Sequence, residues 1–106
     1  MFDLKDKVVL VTGGGGLLGE MHSEAIVENG GKVIVGDLNF EAAQKVCNKI
    51  NSDKAFPILL DVLDKKSIIN CLETHPDINV LINNAAIDPK VTQDSGPGGA
   101  FENLTE

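Results

Sequence analysis

The chain has 106 residues and a formal net charge of −7, with 42% apolar and 24% charged residues. That is enough for one domain with its own core, and the acidic balance argues against a nucleic-acid or anionic-membrane surface, which needs clustered Lys and Arg. A phosphate-bearing ligand stays open, because a loop of backbone N–H groups binds phosphate without a cation.

The opening MFDLKDK lacks the apolar stretch of a secretion signal, and no run approaches the roughly 18 apolar residues of a membrane span. A cytoplasmic location is expected. Cys47 and Cys71 both fall in stretches with helical periodicity, and neither has a partner at metal-ligand spacing. They read as reduced packing thiols.

Val8-Val9-Leu10-Val11 opens the chain's structure as an uninterrupted apolar run. Such runs suit strands covered on both faces, as in a parallel sheet between helices. Gly16 to Asn29 follows with Leu17, Leu18, Met21, Ala25 and Ile26 at helical spacing, and Gly30-Gly31 supplies a stop. Val33-Ile34-Val35 is the second strand. Asn39 then caps a helix whose apolar side is Ala42, Ala43, Val46, Cys47 and Ile50. Phe56 to Leu60 is the third strand, with Pro57 easiest to place at a strand start or on an edge. A third helix begins near Asp64 and carries Ile68, Ile69 and Leu72; Val80-Leu81-Ile82 is the fourth strand. The alternation predicts a Rossmann-type α/β fold, a doubly wound parallel sheet of about four strands in the order 3-2-1-4, over residues 1–87. Residues 88–106 read differently. Two prolines and three glycines between Asp88 and Gly99 predict a mobile loop, and Phe101 to Glu106 the start of a further helix.

The chemistry concentrates where the first strand meets its helix. Glycines 14, 16 and 19 satisfy G-x-G-x-x-G. The first permits a tight turn, the second lets the backbone approach a pyrophosphate, and the third lets helix and strand pack closely. Four consecutive glycines satisfy several templates by accident, so a simple flexible turn is the alternative. Context favours the motif: the second strand ends in Asp37, 18 residues after Gly19, where an acid accepts hydrogen bonds from the adenosine ribose. A phosphate-binding P-loop is excluded, because Gly19 is followed by Glu20 and Met21 rather than Lys and Ser or Thr. A methyltransferase, which also pairs a glycine turn with an acid after the second strand, is the more serious rival. His22 and His75 lack a second ligand at metal spacing, Glu20 is expected to point to solvent, and Ser95 to be solvated within its loop.

Taken together, these segments resemble the short-chain dehydrogenase/reductase superfamily from Lys7 to about Ala86. Thr12 to Gly19 resembles the family's glycine motif, and Asp37 matches its ribose-binding acid. Asp61-Val62, with Asp64 and Ser67 behind, is similar to the segment beside the adenine. Asn83-Asn84-Ala85-Ala86 resembles the Asn-Asn-Ala-Gly stretch after the fourth strand, with Ala86 in place of glycine. Four motifs in order and spacing set the methyltransferase aside. The resemblance implies NAD as cofactor, held by Gly13, Gly14, Gly16, Leu17, Leu18, Gly19, Asp37, Leu38, Asp61, Val62, Asn84, Ala85 and Ala86. It implies hydride transfer with a small hydroxyl or carbonyl compound, sugar-derived ones included, in a parent that forms homo-oligomers.

Two departures shape the expectation. The commonest dehydrogenase subclass has T-G-x-x-x-G-x-G, whose second motif glycine falls on Leu17; the loop fits the T-G-x-x-G-x-x-G of nucleotide-sugar epimerases and dehydratases, while Asn83-Asn84 fits the dehydrogenases. The family's acid/base group is a Tyr followed four residues later by Lys, and this chain has no tyrosine. No catalytic residue and no metal ligand is therefore assigned. The chain is expected to be the cofactor half of a longer enzyme and inactive alone. An epimerase or dehydratase parent, or a non-catalytic NAD-binding module, are the alternatives.

Overall fold

The computed structural model describes residues 3–85. The expected loop and helix start at 88–106, and the motif residue Ala86, lie outside them. The elements are β1 (Val8–Thr12), α1 (Leu17–Glu28), β2 (Lys32–Asp37), α2 (Phe40–Ile50), β3 (Ala55–Leu59), α3 (Lys65–Thr74) and β4 (Val80–Asn83). All pairings are parallel and the order is β3-β2-β1-β4, as the alternation predicts. Val11 stands level with Val35 on one side and Ile82 on the other.

Local signals place the helix ends. Gly30, at φ +90°, closes α1: its N–H donates to the Val27 carbonyl, and the Gly31 N–H donates to that of Ile26. This paired arrangement satisfies two carbonyls that a helix end leaves open, and only glycine enters it without strain. The Asn39 side chain accepts from the Ala42 N–H at the start of α2, and Asp64 accepts from the Lys66 N–H at the start of α3.

The sheet divides the core in two. On one face α1 and α2 cover Val9, Val11, Val33 and Val35, with Ile26, Ala43, Val46 and Cys47 contributed by the helices. On the other, α3 brings Cys71 to Leu10, Ile34, Ile58 and Leu60. β1 and β2 are thus buried on both faces as expected, whereas β3 and β4 are only partly covered. The periodicity of α2 reads out correctly in its buried Ala43, Val46 and Cys47. That of α1 does not: the buried line is Gly19, Ser23 and Ile26, and Leu17, Leu18 and Met21 are exposed. The glycine turn sets the phase of α1, and its small residues let the helix lie close to the strands. In α3 only Cys71 is buried, while Ile68, Ile69 and Leu72 are exposed.

β3 is an edge strand, which resolves the placement of Pro57. The Leu60 N–H donates inward to the Asp37 carbonyl, so by strand alternation Ile58 faces β2 and Pro57 the outer edge. At the opposite end of the strands from the glycine turn, Lys32 at the start of β2 pairs with Asp77 just before β4 at 3.3 Å. Its ammonium also sits 4.9 Å from the centroid of the Phe56 ring, which lies 6.1 Å from the His75 ring.

Candidate functional site

In a doubly wound sheet the crevice forms at the carboxyl ends of the strands, where neighbouring connections leave in opposite directions. Here that point lies between β1 and β4: α1 leaves β1 across one face, and α3 reaches β4 across the other. The residues there are Thr12, the glycine turn, and Asn83, Asn84 and Ala85.

The four glycines have different geometric roles. Gly13 makes the turn, at φ +63°, and a Cβ on it would lie 2.8 Å from Ala85 Cα. A Cβ on Gly14 would lie 2.7 Å from Val35 Cγ1, and one on Gly19 would strike the Gly14 backbone. A Cβ on Gly16, by contrast, would meet only the Gly13 carbonyl, at 3.8 Å. The motif's division of labour therefore shifts by one place at its start: Gly13 takes the tight turn, Gly14 and Gly19 allow close packing, and Gly16 leaves the approach to α1 open. Gly16 caps α1 without a side chain. The first turn of a helix has N–H groups with no intrahelical acceptor and a partial positive charge, so this end of α1 can receive an anion. Leu17 and Leu18 flank it, exposed.

Asp37, at the end of β2, is tied down at both oxygens. Oδ2 accepts from the Gly15 N–H at 2.9 Å and Oδ1 from the Asn39 N–H at 2.8 Å. Leu38 beside it is exposed. Beyond β3, Asp61 donates its N–H to Ser67 Oγ and accepts from the Leu63 N–H, while Val62 packs against the α3-side core. The expected site residues up to Ala85 thus stand along one end of the sheet.

Two residues inside the glycine motif, neither of them expected to hold the cofactor, prove structural. The Thr12 side chain, on a residue only 4% exposed, joins β1 to the chain leaving β4: its Oγ1 accepts from the N–H groups of Asn84 and Ala85 and donates to Asn83 Oδ1. The Asn84 amide in turn donates to the Gly13 carbonyl at 3.2 Å, so Asn84 holds the glycine turn from the β4 side. Gly15 is the other. It falls on an x of all three glycine templates, yet a Cβ there would lie 2.7 Å from that of Ala42 and 2.9 Å from Asp37 Oδ2. A buried polar residue ending an apolar strand is the signal for Thr12; nothing local signals Gly15.

Glu20 corrects the expectation of a solvent-facing carboxylate. Its side chain is largely buried between α1 and α2 and pairs with Lys49 at 3.1 Å. The neighbouring Glu24 carboxyl is held above its usual range, first by side-chain hydrogen bonding with Glu20. The buried thiols are poor nucleophiles: burial pushes Cys47 up to about 11 and Cys71 upward as well. Beneath Thr12 and Asn83, on the α3 side, a cavity of about 260 Å³ is lined by Leu10, Leu60, Val62, Leu72 and Leu81. Among the described residues no cluster of three or more His, Cys, Asp or Glu is placed to hold a metal, and no helix is long and apolar enough to cross a membrane.

The family model for short chain dehydrogenase matches residues 7–105. The chain belongs to the short-chain dehydrogenase family. Among its relatives is the sorbitol dehydrogenase of Cereibacter sphaeroides, 38% identical over 88 residues, which cover 79% of this chain and 34% of that protein. A short-chain dehydrogenase/reductase of Mycobacterium marinum has the same fold, with a TM-score of 0.76 and 30% identity over 81% of this chain and 36% of that one. A protein described as a D-mannonate oxidoreductase from Haemophilus influenza, solved with bound NAD, gives a TM-score of 0.72 and 32% identity over 84% and 34%. This short-chain dehydrogenase chain spans about a third of the length of these three relatives.

Proposed function

We propose that the crevice between β1 and β4 binds NAD(H), and that the whole protein oxidises or reduces a polyhydroxylated alcohol–ketone pair. The observation that carries the reading is the open end of α1: glycines pack the turn tightly everywhere except at Gly16, where the backbone is left free for a pyrophosphate. The N–H groups of the first turn of α1 would hold the phosphates, and Asp37 would accept the adenosine ribose hydroxyls. Asp61 and Val62 would border the adenine, and Asn84, Ala85 and Ala86 the far side of the crevice. NAD supplies the hydride acceptor or donor. Asp37 favours NAD over NADP because its charge repels a 2′-phosphate, and no Lys or Arg lies between Thr12 and Glu28 to offset it.

With no tyrosine in the chain, the acid/base group belongs to other parts of the enzyme, and this chain alone is inactive. The substrate class follows the sorbitol dehydrogenase and the D-mannonate oxidoreductase among its relatives. Calorimetric titration of the purified chain with NAD and NADP tests the reading. NAD binding tighter than NADP is expected; tighter NADP binding, or no binding of either, overturns it.

A further inference from the structure

We propose that Asp37 is a positioning residue for the glycine turn, as well as a ribose acceptor, and that Gly15 is the glycine this second role requires. The inference deepens the NAD reading above and rests on it for its consequence, though not for its geometry.

Asp37 ties three pieces of chain together. Its Oδ2 holds the Gly15 N–H, its Oδ1 holds the Asn39 N–H, and Asn39 is itself the cap of α2. The turn after β1 and the start of α2 are therefore hung on one carboxylate at the end of β2. Gly15 must come close for this to work. A side chain there would press on the carboxylate and on Ala42 together, so the turn would have to withdraw and the hydrogen bond would go. A carboxylate oxygen has room for more than one donor. Ribose hydroxyls can therefore add to these bonds without displacing them, and the turn is shaped before a nucleotide arrives. Pre-shaping of this kind lowers the ordering cost of binding. It also couples two properties usually treated as separate. Removing the acid to admit NADP releases the turn that grips the phosphates of either cofactor.

Two variants separate the roles. Gly15→Ala keeps the charge and breaks the tie; Asp37→Ala loses both. Gly15→Ala should weaken NAD and NADP by the same factor, about tenfold or more for the loss of a hydrogen bond to a charged group, with their ratio unchanged. Asp37→Ala should weaken NAD further and shift the ratio toward NADP. Adding Ala42→Gly to Gly15→Ala removes the closest contact, that with the Ala42 side chain, but not the one with the carboxylate, so the double variant should stay weak. Recovery of parental affinity would assign the defect to crowding against α2 and overturn the proposal. Parental affinity in Gly15→Ala itself would do the same. A measurement on the unaltered protein needs no variant: the Gly15 amide should exchange slowly with solvent at neutral pH. Fast exchange there sinks the tie whatever the affinities. Slow exchange in a chain that binds no NAD would instead leave the tie standing and remove the cofactor reading.

Discussion

On one side of Gly13 stand β1 and β2, where Val11, Val33, Ile34 and Val35 are all 0% exposed; on the other stands β4, where Leu81 is 59% exposed. The first side carries two helices on one face and α3 on the other, and its turn is fastened to Asp37. The second is fastened by its ladder to β1 and by side-chain links at both ends of the strands: the Thr12 hydroxyl and the Asn84 amide at the crevice, and the Asn79 side chain and the Lys32–Asp77 pair below it. The contrast follows the proposed division of labour. The half assigned to adenosine and pyrophosphate is packed from within. Among the described residues, the half that would face the reacting groups rests largely on β1.

The sharpest way to break this comparison is to cut side chains on both sides. Ile34→Ala should cost about 2–5 kcal/mol of stability, as buried truncations do. Leu81→Ala should stay within roughly 0.5 kcal/mol, the range of exposed positions. Denaturant unfolding of the two variants decides it, and equal losses would mean that β4 is as deeply packed as β2.

The glycine turn gives the next largest effect. Gly14→Val drives its side chain into Val35 and should cost about 1–3 kcal/mol or more from overpacking. Gly16→Val enters open space and should leave the melting temperature near that of the parent while abolishing NAD binding. The two variants separate folding from binding within one motif; equal melting temperatures would show that the turn adapts.

Thr12→Val tests the link between the halves. It removes the acceptor of the Asn84 and Ala85 N–H groups and should cost about 1–3 kcal/mol for partners left unsatisfied near the core. Amide exchange should rise at residues 84 and 85 before it rises in β2. Uniform exchange across the sheet would show the two halves to be one cooperative unit.

The smallest effect is at the lower link. Burial, then the nearby Lys32 ammonium, lower the His75 pKa below its ordinary 6.5, against an opposing pull from Asp77. The folded state therefore holds the proton more weakly than the unfolded chain. This contribution is present above pH 6.5 and is lost as the pH falls through the lowered value. Melting temperature should drop slightly between pH 7.5 and 5.5, and His75→Gln should flatten that part of the profile.

How much of this was legible in the sequence depended on whether the information was local. The order of elements, the caps at Asn39 and Asp64 and the stop at Gly30-Gly31 are set by neighbours a few residues away, and they read out directly. So did β1 and β2, because strands covered on both faces carry unbroken apolar runs. The apolar stripes of α1 and α3 misled. Leu17, Leu18 and Met21, like Ile68, Ile69 and Leu72, have helical spacing, but apolar spacing says only that a surface seeks cover. In α1 the burial went instead to Gly19 and Ser23, whose small size is what the close approach to the strands requires. Gly15 was illegible for the opposite reason: its constraint comes from Ala42 and Asp37, brought to it only by the fold.

Pro57 has a consequence for the direction in which this sheet can be extended. Of the three backbone nitrogens that β3 turns outward, Ala55 is already bonded to the Ser52 carbonyl and Pro57 carries no hydrogen, which leaves Leu59. A strand arriving at that margin would find almost no donors to pair with, while the outer margin of β4 contains no proline. Among the described residues the sheet thus has unlike margins: β3 resists a further strand, whereas no proline bars one at β4, beside the crevice.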